Sequence, residues 1–321
     1  MKIVILERNT VGTDVSVDCI RELGDTVIYP VTAPEEVAER VRDAEIIIAN
    51  KAPLNEATLG QADRVRMICE FATGYDNIDL AYCERRGIRV ANVVNYSTAS
   101  VAQHTFALCF YVLEKLRYYD EYVKSGAYAA QPGFSHFARP FTELEGKTWG
   151  IIGMGHIGRR VAAIAASFGC RVIFHSVSGT STCTEYEQVG MEELLQQSDI
   201  LSLHCPLSEK TKHLIGAAEL KKMKRTAILI NVARGPVVDD EALYTALTEE
   251  WIAGAGLDVT GTEPMKDSNP LSRFQDSNRL IITPHMAWAG TEARNRVVEE
   301  TKKNIEAFLR GESRNVVISG R

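Results

Sequence analysis

The sequence predicts an α/β protein with two doubly wound parallel-sheet domains, one inserted in the other. Two observations predict this fold. Strand-like apolar segments alternate with helix-like segments twice along the chain, and a glycine-rich turn opens only the second series. Such alternation is typical of parallel strands joined by crossover helices. With 321 residues, the chain is long enough for two separate cores.

The first series contains strand candidates with helical segments between them, at 2–6, 26–29, 45–49, 66–71 and 89–92. No glycine fingerprint follows its first strand. We therefore expect that this first domain does not hold a dinucleotide.

A single long helix is predicted from 98 to 124, because apolar residues such as Val101, Cys109 and Leu116 recur along one face. The next segment, 125–145, is rich in aromatic residues, glycine and proline and has no clean period. A loop this long is usually functional or packed against another surface. We expect an arm at a subunit contact, and hence a homodimer that depends on the aromatic segment 118–141.

The turn after the first strand of the second series has the pattern GxGxxG, at Gly153, Gly155 and Gly158. The first glycine permits a tight turn, the second lets the backbone approach a pyrophosphate, and the third lets helix and strand pack closely. The phosphates then meet free amides at the helix N-terminus, so His156 and Ile157 are also expected cofactor contacts. We expect the His156 side chain to face solvent rather than to take part in catalysis.

This fingerprint predicts a Rossmann dinucleotide-binding domain over 98–289, with strands near 148–152, 171–175, 199–203, 227–231, 254–258 and 280–282. A last helix, 292–309, follows a sheet that is already complete. We expect it to pack on the first domain. That domain is then 1–97 plus 290–321, a flavodoxin-like substrate domain.

The acidic residue expected about 20 residues after the fingerprint is missing, because the strand at 171–175 ends at Ser176. An Asp or Glu there would accept from the adenosine ribose 2′-OH of NAD. The following residues, 177–182, supply hydroxyls but no Arg or Lys to pair with the 2′-phosphate of NADP. The sequence favours NAD slightly and leaves NADP possible.

Composition excludes several classes of partner. The formal net charge of −6 argues against nucleic acids and anionic membranes, and no apolar run approaches the roughly 20 residues of a membrane span. The seven cysteines are dispersed without metal-ligand spacing. We therefore expect no metal site, a reducing compartment and a cytoplasmic protein.

Three later residues, Arg234, Glu263 and His285, indicate what the dinucleotide is used for. Cation, carboxylate and imidazole are the side chains that hold a 2-keto acid, polarise its carbonyl and protonate its oxygen. With their flanking motifs, the chain resembles the D-isomer-specific 2-hydroxyacid dehydrogenase family over essentially its whole length. It is most similar to the glycerate dehydrogenase/hydroxypyruvate reductase branch. The motifs that carry the resemblance are Gly153–Gly158, Leu203-His204-Cys205-Pro206-Leu207, Asn231-Val232-Ala233-Arg234-Gly235, Leu257-Asp258-Val259 with Glu263-Pro264, and Pro284-His285-Met286-Ala287-Trp288.

The resemblance implies a role for each of these residues. Arg234 would bind the substrate carboxylate and carbonyl, and His285 would donate the proton in reduction and remove it in the reverse direction. Glu263 would accept from the other imidazole nitrogen, favouring imidazolium and fixing the tautomer. Asp258 would accept from the nicotinamide carboxamide.

Further contacts follow from the same resemblance. In the first domain, the amides of Thr73 and Gly74 would cradle the substrate carboxylate, and Lys51, at another strand end, would reach the substrate. A substrate that touches both domains would lie in a cleft that opens and closes about connections near 98 and 289–290. The other expected contacts are Trp288 with the substrate and Val101, His204, Cys205, Pro206, Thr211 and Ala233 with the cofactor.

The function expected from the sequence is therefore NAD(P)-dependent reduction of a small 2-keto acid, such as hydroxypyruvate or glyoxylate, to the D-2-hydroxy acid. Three alternatives stay open: a phosphoglycerate-type dehydrogenase, a lactate-type dehydrogenase, and a dinucleotide-sensing scaffold of the corepressor kind. The sequence leaves the physiological substrate and the direction of flux undecided.

Overall fold

A computed structural model describes residues 1–318, which fall into two compact units. Within the described residues, the first unit consists of 1–97 together with 289–318, and the second is Thr98–Trp288. Ala289 therefore groups with the first unit, one residue earlier than the sequence suggested. Each unit has its own sheet and its own apolar core.

In the first unit, the strands are β1 (Lys2–Ile5), β2 (Asp25–Ile28), β3 (Ile46–Ala49), β4 (Met67–Glu70) and β5 (Arg89–Ala91), and the helices are α1 (Asp18–Arg21), α2 (Val37–Val41), α3 (Glu56–Leu59) and α4 (Leu80–Arg86). The strands are parallel and lie in the order β2-β1-β3-β4-β5. The two central strands β3 and β4 are buried throughout, as expected of a parallel sheet covered on both faces. This is the flavodoxin-like order, so the predicted doubly wound fold is confirmed.

The segment after the first sheet forms α5 (Thr98–Leu113), α6 (Leu116–Lys124) and α7 (Ala127–Ala130). The prediction of one continuous helix over 98–124 is wrong, because Lys115 adopts a left-handed conformation with φ 55° and ψ 40°. Packing accounts for the break. α5 buries one face against the second sheet, whereas no residue of α6 is buried. Without a packed apolar face, nothing holds α6 on the axis of α5.

The second unit contains the strands β6 (Thr148–Ile152), β7 (Arg171–His175), β8 (Glu187–Gln188), β9 (Ile200–Leu203), β10 (Ile228–Asn231), β11 (Gly254–Leu257) and β12 (Leu280–Ile282). Its helices are α8 (His156–Ser167), α9 (Met191–Gln197), α10 (Ala217–Lys222) and α11 (Asp240–Thr248). All strands are parallel, in the order β12-β11-β10-β9-β6-β7-β8. This is the predicted Rossmann order. The order in which successive strands are added to the sheet reverses between β6 and β9. Ligands bind outside the carboxyl ends of the strands at such a point.

The chain then returns to the first unit through α12 (Thr291–Leu309) and β13 (Val316–Ile318). α12 packs against β4 and α1 and buries Val297, Val298 and Ile305. β13 pairs antiparallel with β5, Val316 opposite Ala91, and so adds an edge strand that the sequence did not predict.

Among the helices of residues 1–318, none has the length and apolar character needed to cross a bilayer. The same residues contain no cluster of three or more His, Cys, Asp or Glu side chains placed to hold a metal ion.

Candidate active site

A cavity of 550 Å³ lies within the second unit, at the point where the strand order reverses. Its wall includes Gly153 and Gly155 after β6, Ser176 after β7, and His204 and Thr211 after β9. Of the expected cofactor contacts, Cys205 and Pro206 also line it, whereas six do not: His156, Ile157, Gly158, Val101, Ala233 and Asp258. The carboxyl ends of three neighbouring strands thus form one concave surface.

The glycine turn is shaped by close backbone contacts. Gly153 has φ 95°, a left-handed conformation that favours glycine, and a Cβ there would lie 2.7 Å from Cys205 N. A Cβ on Gly158 would overlap the carbonyl oxygen of Gly153, so this residue allows α8 to start directly behind the turn. A Cβ on Gly155 would meet no protein atom within 4 Å. Gly155 is therefore open toward the cavity, as a backbone that approaches a pyrophosphate requires.

The first turn of α8 presents its amides at this end of the cavity, with Gly155 as the N-cap residue. His156 is exposed and Ile157 is half-buried. The exposed position of the His156 side chain agrees with the expectation that it faces solvent.

The loop after β9 is fixed by Thr211. Its hydroxyl donates to Pro206 O at 2.7 Å and accepts from Ser208 N at 2.7 Å, so it closes the 206–211 segment. Cys205 is buried, and burial raises the pKa of its thiol to about 11. The thiol is therefore protonated at neutral pH and acts as a small wall residue.

His204 lies in the cavity wall, and one of its two ring nitrogens has a protein partner. Trp149 Nε1 donates to Ser202 Oγ at 2.9 Å, and His204 Nε2 lies 3.0 Å from the same hydroxyl. Burial lowers the pKa of His204 to about 3, so the ring is neutral. Nδ1 is buried and has no partner in the described residues. A buried ring nitrogen without a partner in the wall of this cavity fits a hydrogen bond to a bound dinucleotide.

Arg234 follows β10 in a turn that Asn231 holds. Asn231 Oδ1 accepts from Ala233 N at 3.0 Å, and its Nδ2 donates to Arg234 O at 3.0 Å. The guanidinium donates to Ala233 O at 2.9 Å. A Cβ on Gly235 would overlap Thr260 O, so glycine is required for this turn to approach the segment that contains Glu263.

Glu263 and His285 form a hydrogen-bonded pair, with 2.6 Å between Glu263 Oε2 and His285 Nδ1. Glu263 Oε1 also accepts from Thr260 N at 3.3 Å. The two side chains are 33% and 27% exposed, which leaves the imidazole accessible to a small molecule. A carboxylate on Nδ1 fixes the ring so that Nε2 is the nitrogen available for proton transfer.

Asp258 holds the turn that carries His285, a role that the sequence did not reveal. The residue is 1% exposed, and its carboxylate accepts from Thr283 Oγ1 at 2.6 Å, Met286 N at 2.9 Å and Ala287 N at 2.8 Å. Its carbonyl oxygen accepts from His285 N at 2.8 Å. His285 itself has φ 53°, which is uncommon for a residue other than glycine. Four hydrogen bonds to one residue therefore maintain an unfavourable backbone conformation at the imidazole.

The first unit positions its expected substrate contacts on its own loops. The Glu7 carboxylate accepts from the amides of Asn50, Lys51 and Ala52 at 2.8–2.9 Å and thereby caps the loop after β3. The side chain of Lys51 is exposed. The sequence showed no sign of this cap, because Glu7 and Lys51 are far apart along the chain.

The loop after β4 carries Thr73 and Gly74. Thr73 Oγ1 donates to Val93 O at 2.7 Å, and Asn92 Nδ2 donates to Thr73 O at 2.7 Å. At the start of this loop, burial raises the pKa of Glu70 to about 8, so this carboxyl retains its proton near neutral pH.

Two further expected contacts, Val101 and Trp288, do not line the cavity. Val101 is buried on α5, and Trp288, the last residue of the second unit, is half-buried.

Comparisons with known proteins agree with this arrangement. The model of the family described as D-isomer specific 2-hydroxyacid dehydrogenase, NAD binding domain, matches residues 106–287. A glycerate dehydrogenase of Methylorubrum extorquens is 41% identical over 284 residues, 88% of each chain. A hydroxypyruvate reductase of Blautia hydrogenotrophica is 36% identical over 99% of each chain.

Among solved structures, an acyclic imino acid reductase in complex with NADPH and D-arginine superposes with a TM-score of 0.88 at 33% identity. The match covers 99% of this chain and 100% of that one. The family match includes the glycine turn, Arg234, Glu263 and His285, and the relatives match most or all of the chain. The protein belongs to the D-isomer specific 2-hydroxyacid dehydrogenase family.

Proposed function

We propose that this protein reduces a small 2-keto acid to the D-2-hydroxy acid, with NADH or NADPH as the reductant. The observation that carries the proposal is the 2.6 Å pair of Glu263 and His285 at the carboxyl edge of a sheet whose other strands form a dinucleotide cavity. The relatives named glycerate dehydrogenase and hydroxypyruvate reductase support hydroxypyruvate as the first substrate to test.

The reaction needs a hydride at the carbonyl carbon and a proton at the carbonyl oxygen. The nicotinamide supplies the hydride when the coenzyme is bound. His285 donates the proton from Nε2, because Nδ1 is hydrogen-bonded to Glu263. The negative charge of Glu263 stabilises the imidazolium that this step consumes. In the oxidation direction, the same nitrogen accepts the proton from the hydroxy acid.

Arg234 binds the substrate carboxylate and offsets the charge that develops on the carbonyl oxygen. Its turn is held by Asn231 and by the close contact of Gly235 with Thr260. The backbone position of Arg234 is therefore fixed before the substrate binds. Asp258 orients the nicotinamide carboxamide as well as the His285 turn. Val101 packs near the nicotinamide, and Ala233 contacts the coenzyme.

The remaining substrate contacts are the amides of Thr73 and Gly74, the ammonium of Lys51 and the indole of Trp288. Two features support the loop of Thr73. Its hydroxyl is engaged by Val93 O, which fixes the turn, and its amide donates to no acceptor within residues 1–318. An amide without an acceptor is suited to a carboxylate.

The protein is further proposed to be a cytoplasmic homodimer. Seven free cysteines in residues 1–318 agree with a reducing compartment. Phe134, Phe137 and Phe141 are 89%, 81% and 54% exposed and follow α6, which has no buried residue. Apolar side chains this exposed favour burial against a second copy.

The test is a matrix of 2-keto acids against NADH and NADPH, scored by kcat/KM, with chiral identification of the hydroxy acid produced. Hydroxypyruvate, glyoxylate, pyruvate and 3-phosphohydroxypyruvate separate the reductase from lactate- and phosphoglycerate-type enzymes. Steady turnover with formation of the D-isomer supports the proposal. Coenzyme binding without turnover on any keto acid would instead support the dinucleotide-sensing scaffold.

A further inference from the structure

The cavity wall beyond the glycine turn is polar and almost uncharged. Its hydroxyl groups come from the segment after β7 and from the loop after β9. Among the lining residues described, none is Asp or Glu, and one side chain, Lys210, carries a charge. The absence of a carboxylate removes both the usual acceptor for a ribose 2′-OH and the usual repulsion against a 2′-phosphate.

Lys210 is exposed and makes no ion pair within residues 1–318. The backbone of Lys210 is held in place because the next residue, Thr211, anchors the loop through the hydrogen bonds of its hydroxyl to Pro206 O and Ser208 N. A second cation near this wall, Arg159, is already paired with Glu185 at 3.1 Å. Of these two cations, Lys210 is therefore the one whose charge is available to a ligand.

The hydroxyl groups that line the same cavity provide donors without negative charge. Ser176 Oγ lies 3.2 Å from Ser178 Oγ, and Ser178 Oγ lies 3.1 Å from Thr180 Oγ1. These bonds join exposed, rotatable hydroxyls, so each group can turn to donate to an anion instead. Arg159 Nη2 donates to Thr182 Oγ1 at 3.0 Å and holds the far end of the segment.

We propose that this wall binds the 2′-phosphate of NADP(H), with Lys210 as its ion-pair partner and Ser176, Ser178 and Thr180 as hydroxyl donors. The proposal rests on the proposed function, since it specifies the coenzyme of the same reaction. A phosphate monoester carries a charge of about −1.5 to −2 at neutral pH. One unpaired ammonium offsets part of that charge and the hydroxyl groups donate hydrogen bonds to the phosphate oxygens, whereas the neutral 2′-OH of NAD offers Lys210 no charge to pair with.

The experiment measures nucleotide binding without turnover. Isothermal titration calorimetry compares 2′,5′-ADP with 5′-AMP, which lacks the 2′-phosphate, on the wild type and on two variants. Lys210→Met removes the proposed partner and keeps a long apolar stem. Lys212→Met is the matched control, because Lys212 is an exposed lysine on the same loop that does not line the cavity.

We expect wild type to bind 2′,5′-ADP at least about tenfold more tightly than 5′-AMP, the contribution of one charge-assisted contact. Lys210→Met should lose about tenfold for 2′,5′-ADP and leave 5′-AMP unchanged, while Lys212→Met should resemble wild type. The proposal is overturned if 2′,5′-ADP binds no more tightly than 5′-AMP or is not bound at all. It is also overturned if Lys210→Met weakens both nucleotides equally, which would place Lys210 at a part common to both.

The outcome is separable from that of the proposed function. Reduction of hydroxypyruvate with NADH, combined with equal binding of the two nucleotides, would leave the function intact and refute the 2′-phosphate site. Tight binding of 2′,5′-ADP that depends on Lys210, without turnover on any keto acid, would support the site and refute the function.

Discussion

The variant Asp258→Asn should loosen the turn that carries His285 while keeping the size of the side chain. The carboxylate accepts hydrogen bonds of 2.6, 2.9 and 2.8 Å from Thr283, Met286 and Ala287. Asparagine keeps one oxygen, so its amide nitrogen must face at least one of these donors. A hydrogen bond to a charged group contributes about 1.5–3 kcal/mol, and the free energy of unfolding should fall by at least that amount.

The same change should lower turnover, because a displacement of about 1 Å at a catalytic group can cost about 100-fold in rate. We expect kcat for keto-acid reduction to fall by about 10- to 100-fold. Stability is measured by urea unfolding, followed by circular dichroism and tryptophan fluorescence without coenzyme, and kcat is measured with saturating substrate and coenzyme.

Asp199→Asn is the matched control. The Asp199 carboxylate accepts from Thr148 N and Lys224 Nζ, each at 2.9 Å, at the amino-terminal edge of the same sheet. This variant should also be less stable but should keep kcat within about twofold, because no catalytic turn depends on it. If Asp258→Asn also retained kcat within about twofold while losing stability, Asp258 would not set the position of His285 and the reasoning would be refuted.

Four other predictions concern the site and the assembly. His285→Ala should reduce turnover by about 10²–10⁴-fold and leave coenzyme binding, measured by fluorescence titration, near normal; turnover within a few-fold of wild type would exclude His285 as the proton donor. Glu263→Gln should lower kcat for reduction, because an amide orients and stabilises the imidazolium less well than a carboxylate does; an unchanged kcat would mean that the 2.6 Å contact has no catalytic effect. Ser176→Asp should favour NADH over NADPH by repelling a 2′-phosphate, and steady-state kinetics with both coenzymes would show no change if Ser176 is not beside the ribose. Light scattering should give twice the 35.5 kDa chain mass, and a monomer at micromolar concentration would contradict the dimer.

The sequence predicted those features that depend on neighbouring residues. The two alternating series gave both sheets, and the glycine turn identified the sheet whose strand order reverses beside a cavity. The helix over 98–124 failed at Lys115, because a lysine in a left-handed conformation has no local sequence signal. β13 was missed for a similar reason, since a strand this short becomes visible only when it pairs with β5.

The candidate site shows the same division. The motifs predicted Glu263 and His285 as site residues. The three hydrogen bonds that the Asp258 carboxylate accepts could not be predicted, because they form only when the fold brings the end of β11 next to the turn after β12. The Glu7 cap on the loop of Lys51 likewise needs β1 and β3 to be neighbours. Lys210 was not predicted because the fingerprint points only to the segment after Ser176, which contains no cation, while the fold adds a second wall from the loop after β9.

The contact between Gly235 and Thr260 has a consequence for engineering the substrate range. Any larger residue at 235 would push the turn of Arg234 away from the segment of Glu263, so the cation would be displaced relative to the Glu263–His285 pair. A variant library for new 2-keto acids should therefore keep this glycine and randomise the proposed substrate contacts, such as Trp288. Libraries that include position 235 should contain mostly inactive members whatever substrate is offered. The fraction of inactive variants at this position would then measure how strongly the backbone restricts the substitutions that this enzyme can accept.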